Sequence, residues 1–244
     1  MKIRVGHLYP DYLNIYADRG NIAVLAQRAA ARGHELDVRA IGRGSEVPAG
    51  IDLFYVGGGQ DREQALIAPD LAAKAEPLRE AAEADAAFLA VCGGYQLLGR
   101  FYRDLDGDEL PGVGLLPLHT VAGDRRMIGD VLLDCEWAGE TLAGFENHAG
   151  RTVLDAGAEP LGRVVDGFGN DGNSGFEGCR YRKVYGTYLH GPLLPRNPWF
   201  ADRVLSDALA HAGASPELEP LEDALERDAH RVSAERARTR GGRY

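Results

Sequence analysis

Short apolar runs and helical patterns alternate along the first part of the chain. Alternating or continuous apolar positions predict strands at Ile3–Leu8, His34–Ile41, Ile51–Val56 and Ala86–Val91. Helical spacing of good helix-forming residues predicts helices at Asn21–Arg32, Pro69–Ala84 and Tyr95–Tyr102. Because apolar strands between helices are buried on both faces, we predict an α/β fold with a mostly parallel central sheet flanked by helices.

Beyond Gly112 the pattern changes to strand-like segments separated by glycine-rich turns. The segments are Asp130–Cys135, Phe145–Val153, Leu161–Val165 and Lys183–Leu189, and two further helices are predicted at Pro198–Ala212 and Pro220–Arg238. The stretch Gly167–Gly178 has the strongest loop composition. Since no repeat or linker interrupts the pattern, we expect one domain over residues 1–235, with residues 236–244 as a basic, frayed tail.

The composition of the 244 residues, 45% hydrophobic and 26% charged, is ordinary for a globular protein. A net charge of −10 argues against nucleic acid as a partner, because phosphate binding needs clustered cations. The sequence has neither the apolar run of a signal peptide nor that of a membrane span, so we expect no membrane insertion. Cys92, Cys135 and Cys179 show neither disulfide nor zinc-ligand spacing, which favours a reduced, cytoplasmic protein without a bound metal.

Cys92 stands where an apolar strand meets a predicted helix. The sequence Val91-Cys92-Gly93-Gly94 follows the layout of a nucleophile elbow, in which small neighbours permit a tight, strained turn. Such a turn lifts the sulfur above the carboxyl end of the sheet, and the N-terminus of the following helix favours a thiolate. We therefore interpret Cys92 as a nucleophile rather than an inert buried thiol, and the Gly93 N–H as an oxyanion donor.

A nucleophilic thiol needs a base, and His190 and His148 are the main candidates among the seven histidines. His190 ends the apolar stretch Val184–Leu189 and precedes Gly191-Pro192, so it could point into a cleft. His148 follows Glu146-Asn147, and either histidine could instead be structural. The spacing does not decide between them.

A second glycine-rich loop, Gly57–Asp61, also follows a predicted strand directly. Glycines there would bring backbone N–H groups close to a substrate. The loop lacks the Lys and Ser or Thr of a phosphate-binding loop, and that sequence occurs nowhere else in the chain. Combined with the turn at Cys92, the loop indicates the second half of an oxyanion hole.

Together these segments resemble the class I glutamine amidotransferases, which release ammonia from glutamine. The resemblance is to the cobyric acid synthase type, and within it to the GatD family, the glutaminase subunits of lipid II isoglutaminyl synthase. The matching segments span nearly the whole chain: Leu8–Pro10, Asn14–Asn21, Gly57–Asp61, Cys92–Leu98, Arg126–Asp130, Gly144–Thr152 and Val184–Pro198. The resemblance implies a flavodoxin-like class I amidotransferase fold.

The resemblance also implies which residues carry the reaction. It makes Cys92 the nucleophile and His190 the base. It places the oxyanion at Gly93 and at a glycine of the loop, Gly58 or Gly59.

For substrate binding, the resemblance assigns Arg126 to the α-carboxylate of glutamine, a role suited to a guanidinium fork. An ordinary surface arginine is the alternative for that position. Gln96 is also implied to bind the substrate, and Glu146-Asn147-His148 to shape the pocket.

One position departs from the pattern of many class I enzymes, which carry a glutamate two residues after the catalytic histidine. Here that position is Pro192. GatD-like proteins share this gap, and a carboxylate from the partner subunit would fill it. We expect low glutaminase activity for the chain alone and higher activity in a complex.

Fixing ammonia into an amide requires activation of a carboxylate, and the sequence shows no ATP-binding loop for it. The resemblance therefore implies no cofactor in this chain and a separate synthetase subunit, a MurT-like Mur ligase that holds ATP and Mg²⁺. That pair would amidate D-glutamate of lipid II to D-isoglutamine at the inner face of the membrane. The alternatives are a glutaminase for another synthetase such as one of cobalamin synthesis, a stand-alone γ-glutamyl hydrolase, and a non-catalytic binding module.

Overall fold

The computed structural model describes residues 1–15 and 19–240. Residues 16–18, which belong to one of the matching segments, and residues 241–244 of the expected tail lie outside the described residues.

Strands and helices alternate in the first part of the chain, as the sequence predicts. In chain order they are β1 (Lys2–Leu8), α1 (Arg19–Ala30), β2 (Glu35–Ile41), β3 (Leu53–Val56), α2 (Asp61–Ala73), α3 (Ala75–Glu83), β4 (Ala87–Val91) and α4 (Gly93–Leu98).

Short and long strands follow, and two helices close the chain. They are β5 (Phe101–Arg103), β6 (Glu109–Pro111), β7 (Leu118–Cys135), β8 (Glu140–Leu154), β9 (Gly162–Asp166), β10 (Phe176–Glu177), β11 (Cys179–Tyr181), β12 (Val184–Thr187), α5 (Pro198–His211) and α6 (Ala224–Arg240).

A central sheet with the strand order β11-β12-β4-β3-β1-β2 carries the core. The β11–β12 pair is antiparallel and the other pairs are parallel. The strands β3, β4 and β12 are buried at every position, as expected for parallel strands covered on both faces. Because Val91 pairs with Thr187, β4 and β12 end side by side at the carboxyl edge. The segments that follow these two strands therefore start close together.

The second sheet is built on a long hairpin of β7 and β8, with β9, β10, β5 and β6 alongside β7. The β7–β8 register shifts between Ala122 and Met127, which marks a bulge. An isolated antiparallel bridge between Phe145 of β8 and His190 joins this sheet to the segment that follows β12. The two sheets thus meet beside the carboxyl edge of the central sheet.

The fold class is confirmed, and two helix predictions are corrected. The helix predicted at Pro69–Ala84 is two helices, α2 and α3, which meet at Lys74. The helix predicted at Tyr95–Tyr102 ends at Leu98, because Gly99 is extended and lies so close to Leu118 that any added Cβ would clash with it. The chain then enters β5, which pairs with β7.

The C-terminal helix α6 extends to Arg240, so residues 236–240 of the expected tail are helical. Ala234 and Ala237 of this helix pack in a small apolar cluster with Leu132 of β7 and Ala143 of β8. The helix is thereby packed against the second sheet through these two alanines. None of the helices in the described ranges has the length and apolar character needed to cross a membrane.

Candidate active site

A cavity of about 680 Å³ opens at the carboxyl edge of the central sheet. Its walls come from the loop after β3, the start of α4, and the β7–β8 hairpin. The lining residues include Ile15, Gly59, Gln60, Asp61, Arg62, Gln64, Cys92, Gln96, Tyr102, Arg126, Asn147, His148, Ala149 and Gly150. The cavity thus collects several of the residues that the sequence singled out.

Cys92 occupies a strained turn between β4 and α4. Its φ of 51° and ψ of −108° lie in a region that non-glycine residues rarely adopt, as expected for a nucleophile elbow. The thiol residue is only 6% exposed and lines the cavity. Its backbone N–H donates to the carbonyl oxygen of Thr187 at 2.8 Å, which ties the turn to the end of β12.

The glycines after Cys92 are required by close backbone approach. A Cβ on Gly93 would lie 2.9 Å from the Gly59 carbonyl oxygen and 3.0 Å from the Gly59 nitrogen. Gly94 donates its N–H to the Gly57 carbonyl oxygen at 3.1 Å. The loop after β3 and the start of α4 are therefore packed backbone against backbone.

Of the two loop glycines proposed for the oxyanion hole, the structure sets Gly59 beside Gly93 and against the cavity. The Gly58 carbonyl oxygen accepts the Ile15 N–H at 3.2 Å, which anchors the loop on its other side. Gly93 begins α4, where backbone N–H groups have no partner within the helix. The arrangement can present N–H groups from both segments to a developing oxyanion.

His190 is fully buried, three residues beyond the end of β12. Its backbone N–H donates to the Phe145 carbonyl oxygen at 2.7 Å. The following Pro192 packs against α1, since a Cβ on Gly20 would lie 2.6 Å from the proline Cγ. The backbone around His190 is thus held from the second sheet on one side and from α1 on the other.

His148, the alternative base, lies in the cavity wall and is 3% exposed. Its ring stacks on Tyr188 with 3.5 Å between centroids and 3° between planes. Nδ1 lies 3.0 Å from the Gly150 carbonyl oxygen, and Nε2 lies 3.5 Å from Glu146 Oε2. Burial lowers the pKa of His148, so the ring is neutral at pH 7 and donates through Nδ1. These contacts suit a structural histidine.

Gln96 is held in the cavity wall by a chain of buried hydrogen bonds. Its Oε1 accepts from Gln64 Nε2 at 3.0 Å, and its Nε2 donates to the Tyr188 hydroxyl at 3.1 Å. The Tyr188 oxygen is 2.6 Å from Thr152 Oγ1, which is 2.7 Å from Thr120 Oγ1. These hydrogen bonds fix the orientation of the Gln96 amide.

Arg126 lies beside the bulge of β7, at the mouth of the cavity. Its Nε donates to Asn147 Oδ1 at 2.8 Å and its Nη2 donates to the Asn147 carbonyl oxygen at 3.0 Å. These bonds orient the guanidinium on a lining residue. A fixed, exposed guanidinium at the mouth of a cavity can hold a carboxylate.

Glu146 and Glu177 are fully buried carboxyl groups that border the site. Glu146 accepts the N–H groups of Phe168 and Gly169 at 2.6 and 2.9 Å, and so secures that loop. Glu177 contacts Thr187 and the Tyr188 backbone. Burial raises the pKa of Glu177 to about 8, with a further contribution from the charge of Glu146.

Sequence reasoning missed Gln64, Tyr102, Glu177 and the role of Tyr188. Gln64 follows Gln60 by one helical turn on α2, a spacing that could have suggested a second polar group at the loop. Tyr188 stands in the segment that carries His190. Glu177 falls in the stretch Gly167–Gly178, whose loop composition gave no sign of a short strand.

The two other cysteines are buried in the core. Burial raises the pKa of Cys135 and that of Cys179 to about 12, which keeps both as thiols at neutral pH. Over residues 1–15 and 19–240, no group of three or more His, Cys, Asp or Glu side chains is placed to hold a metal ion.

Comparison with known sequences identifies the family. A sequence profile of the CobB/CobQ-like glutamine amidotransferase domain matches residues 4–198. The chain belongs to this family. The amidotransferase is 40% identical over 237 residues to the GatD subunit of lipid II isoglutaminyl synthase (glutamine-hydrolyzing) from Staphylococcus aureus, covering 97% of this chain and 96% of the relative. It is 38% identical to the GatD subunit from Streptococcus pneumoniae, covering 93% of this chain and 88% of that one.

Solved structures agree with the fold of this amidotransferase. PurLQS from Thermotoga maritima aligns with a TM-score of 0.58 at 16% identity, over 87% of this chain and 100% of that chain. The glutaminase domain of CTPS from Trypanosoma brucei aligns with a TM-score of 0.54 at 13% identity, over 92% of this chain and 98% of that domain. The class I amidotransferase fold and the resemblance to the GatD family are thus confirmed.

Proposed function

We propose that this amidotransferase is the glutamine-hydrolysing subunit of a lipid II isoglutaminyl synthase. The observation that carries the proposal is the 40% identity to the S. aureus GatD subunit over 97% of this chain and 96% of the relative. A relative of cobyric acid synthase type, from Synechococcus, is 36% identical over only 61% of this chain and spans it with 30% of its own length. Similarity along nearly the whole GatD subunit therefore favours the role of GatD over that of a cobyric acid synthase.

In the proposed reaction, Cys92 attacks the side-chain carboxamide carbon of glutamine. His190 takes the thiol proton and returns it to the leaving nitrogen, so that ammonia departs and a γ-glutamyl thioester remains. Water, deprotonated by the same imidazole, then hydrolyses the thioester and releases glutamate. The adjacent ends of β4 and β12, and the bond from the Cys92 N–H to the Thr187 carbonyl oxygen, support pairing these two residues.

The oxyanion of each tetrahedral intermediate is proposed to bind the N–H groups of Gly93 and Gly59. Their close packing supports this choice over Gly58. Arg126 holds the α-carboxylate of glutamine at the cavity mouth, and Gln96 contacts the substrate from the wall. Both side chains have fixed orientations, which lowers the entropy lost on binding.

The ammonia acceptor is proposed to lie on a partner synthetase subunit, a MurT-like Mur ligase that binds ATP and Mg²⁺. The acceptor would be the α-carboxylate of D-glutamate in the lipid II stem peptide, and the product D-isoglutamine. A carboxylate of the partner would orient His190, since the residue two positions later is Pro192, which packs on α1. The complex would work in the cytoplasm, peripheral to the inner membrane face.

The deciding experiment measures ammonia release from glutamine by the purified chain, alone and with a copurified Mur-ligase-like subunit. We expect slow release by the chain alone, faster release by the pair, and ATP-dependent amidation of lipid II. Cys92→Ala should abolish release, whereas Cys179→Ala, which alters a core thiol, should retain it. Equal turnover by the free and assembled chain would refute the partner's role, and amidation of a different acceptor would refute the lipid II assignment.

A further inference from the structure

We infer that Glu177 is a positioning residue of the glutaminase site, which fixes the end of β12 between Cys92 and His190. Glu177 lies on β10 in the second sheet, whereas the segment that it holds begins at Thr187, the last residue of β12 in the central sheet. The inference rests on the proposed function, because it concerns how the catalytic pair of that reaction is held.

The contacts of Glu177 converge on two neighbouring residues. Oε1 accepts the backbone N–H of Tyr188 at 2.6 Å. The Thr187 hydroxyl lies 3.1 Å from Oε1 and 3.0 Å from Oε2. All three residues are fully buried, so no water can replace the carboxyl group as the partner of these donors.

The hydrogen bonds of the backbone from Thr187 to His190 show why this anchor matters. The Thr187 carbonyl oxygen accepts the Cys92 N–H at 2.8 Å, and the His190 N–H donates to the Phe145 carbonyl oxygen at 2.7 Å. Between them, the Leu189 N–H donates to Thr187 Oγ1 at 3.1 Å. Glu177 supplies the acceptor for the remaining N–H, that of Tyr188, and also contacts the hydroxyl that receives the Leu189 N–H.

Glu177 therefore holds the four-residue segment Thr187–His190. The first residue of this segment is bonded to Cys92, and the last is the proposed base. Its carboxyl group is fully buried and bonded to Thr187 and Tyr188, so it acts through this segment rather than on the substrate. Without its carboxyl group, a buried N–H would lack an acceptor and the segment would shift to find one. A shift of about 1 Å in a catalytic group can lower turnover by about 100-fold.

The test compares Glu177→Met with Glu177→Gln in the assembled enzyme. The methionine side chain removes both acceptors, whereas the glutamine side chain retains a carbonyl oxygen for the Tyr188 N–H. We expect Glu177→Met to lower kcat by about 10- to 100-fold with an unchanged KM for glutamine, and Glu177→Gln to restore most of the turnover. Thr187→Val removes only the intervening hydroxyl and is expected to lower kcat in the same way if Glu177→Met does not fold.

A second measurement does not depend on glutamine hydrolysis. The rate of Cys92 alkylation by iodoacetamide is followed from pH 5 to 10 in the isolated chain. Because His190 would be displaced from the thiol, we expect this profile to change in Glu177→Met and to return in Glu177→Gln. Asp52→Asn is the control, since Asp52 is a buried carboxylate that accepts the Arg4 N–H at 2.8 Å at the start of β3.

The outcomes separate this inference from the proposed function. Folded Glu177→Met with the kcat and alkylation profile of the unaltered chain would overturn the inference, while glutamine hydrolysis by that chain would still support the function. An increase in KM at constant kcat would also overturn it, because the residue would then act on substrate binding. If the unaltered pair releases no ammonia but the alkylation profiles differ as expected, the proposed function fails and the positioning role stands.

Discussion

The backbone N–H of Cys92 donates a 2.8 Å hydrogen bond to the carbonyl oxygen of Thr187, three residues before His190. This bond extends the parallel pairing of β4 and β12 by one step beyond Val91 and Thr187. It fixes the start of the nucleophile turn relative to the segment that carries the proposed base. The bond joins two chain segments that are far apart in sequence.

Gly93→Ala is expected to lower kcat by about 10²- to 10³-fold, the effect of losing one oxyanion donor. The added Cβ would lie 2.9 and 3.0 Å from backbone atoms of Gly59, so the two N–H groups would have to separate. Steady-state ammonia release measures the loss. The control is Gly42→Ala, where the nearest atom to the new Cβ is Ser45 Oγ at 3.9 Å. Turnover by Gly93→Ala equal to that of the control would exclude Gly93 from the oxyanion hole.

The same substitution at the two histidines decides which is the base. His190→Phe is expected to lower kcat by about 10²- to 10⁴-fold, the usual contribution of general acid–base catalysis. His148→Phe keeps a ring against Tyr188 and is expected to retain most of the turnover. The reverse result would assign the base to His148 and leave His190 as a structural residue.

Arg126→Met is expected to raise the KM for glutamine by about 10- to 100-fold with little change in kcat, because a charge-assisted hydrogen bond to the α-carboxylate is lost. Arg125→Met, at an exposed neighbour outside the described cavity lining, is the matched control. Glutamine-dependent kinetics of both variants provide the test. An unchanged KM in Arg126→Met would make Arg126 an ordinary surface arginine.

Folding stability should depend on pH through Glu177. Burial raises the pKa of its carboxyl group in the folded chain to about 8, above the ordinary value of 4.5. Between pH 4.5 and about 8 the folded chain then binds more protons than the unfolded chain. The contribution of Glu177 to stability is therefore lost as pH rises through this range. The free energy of unfolding of the natural chain, minus that of Glu177→Gln, should fall by up to about 1.4 kcal/mol for each unit by which the pH rises.

Urea unfolding at several pH values between 5 and 8 measures that difference directly, since the substituted amide does not titrate and the other groups cancel between the two proteins. Parallel stability curves for the two proteins would show that the Glu177 carboxyl group titrates in its ordinary range.

The first part of the fold could be predicted because its signals are local. The continuous apolar run of β4 and the glycines after Cys92 can be recognised in the sequence. The structure confirms the first as a strand and the second as a tight turn. The end of α4 at Leu98 was not predicted, since it depends on the approach of Gly99 to Leu118 across the fold. Tertiary contact overrode the local helical pattern there.

Strands were predicted within β7, β8 and β9 of the second sheet, but the full length of β7, the strand pairing and the contribution of this sheet to the cavity were not. The strand β7 continues through polar residues from Leu118, because pairing with β8 rather than apolar periodicity sustains it. Gln64 bonds to Gln96 on another helix, and Glu177 of the second sheet bonds to Tyr188, which follows a strand of the central sheet. No local pattern records such pairings.

The bridge between Phe145 and His190 has a consequence for protein engineering. A shortened glutaminase cut down to the parallel sheet would keep its cysteine turn but lose the β-hairpin that braces the imidazole-bearing segment. Grafting this ammonia source onto another synthetase would therefore mean transplanting the second sheet with the first.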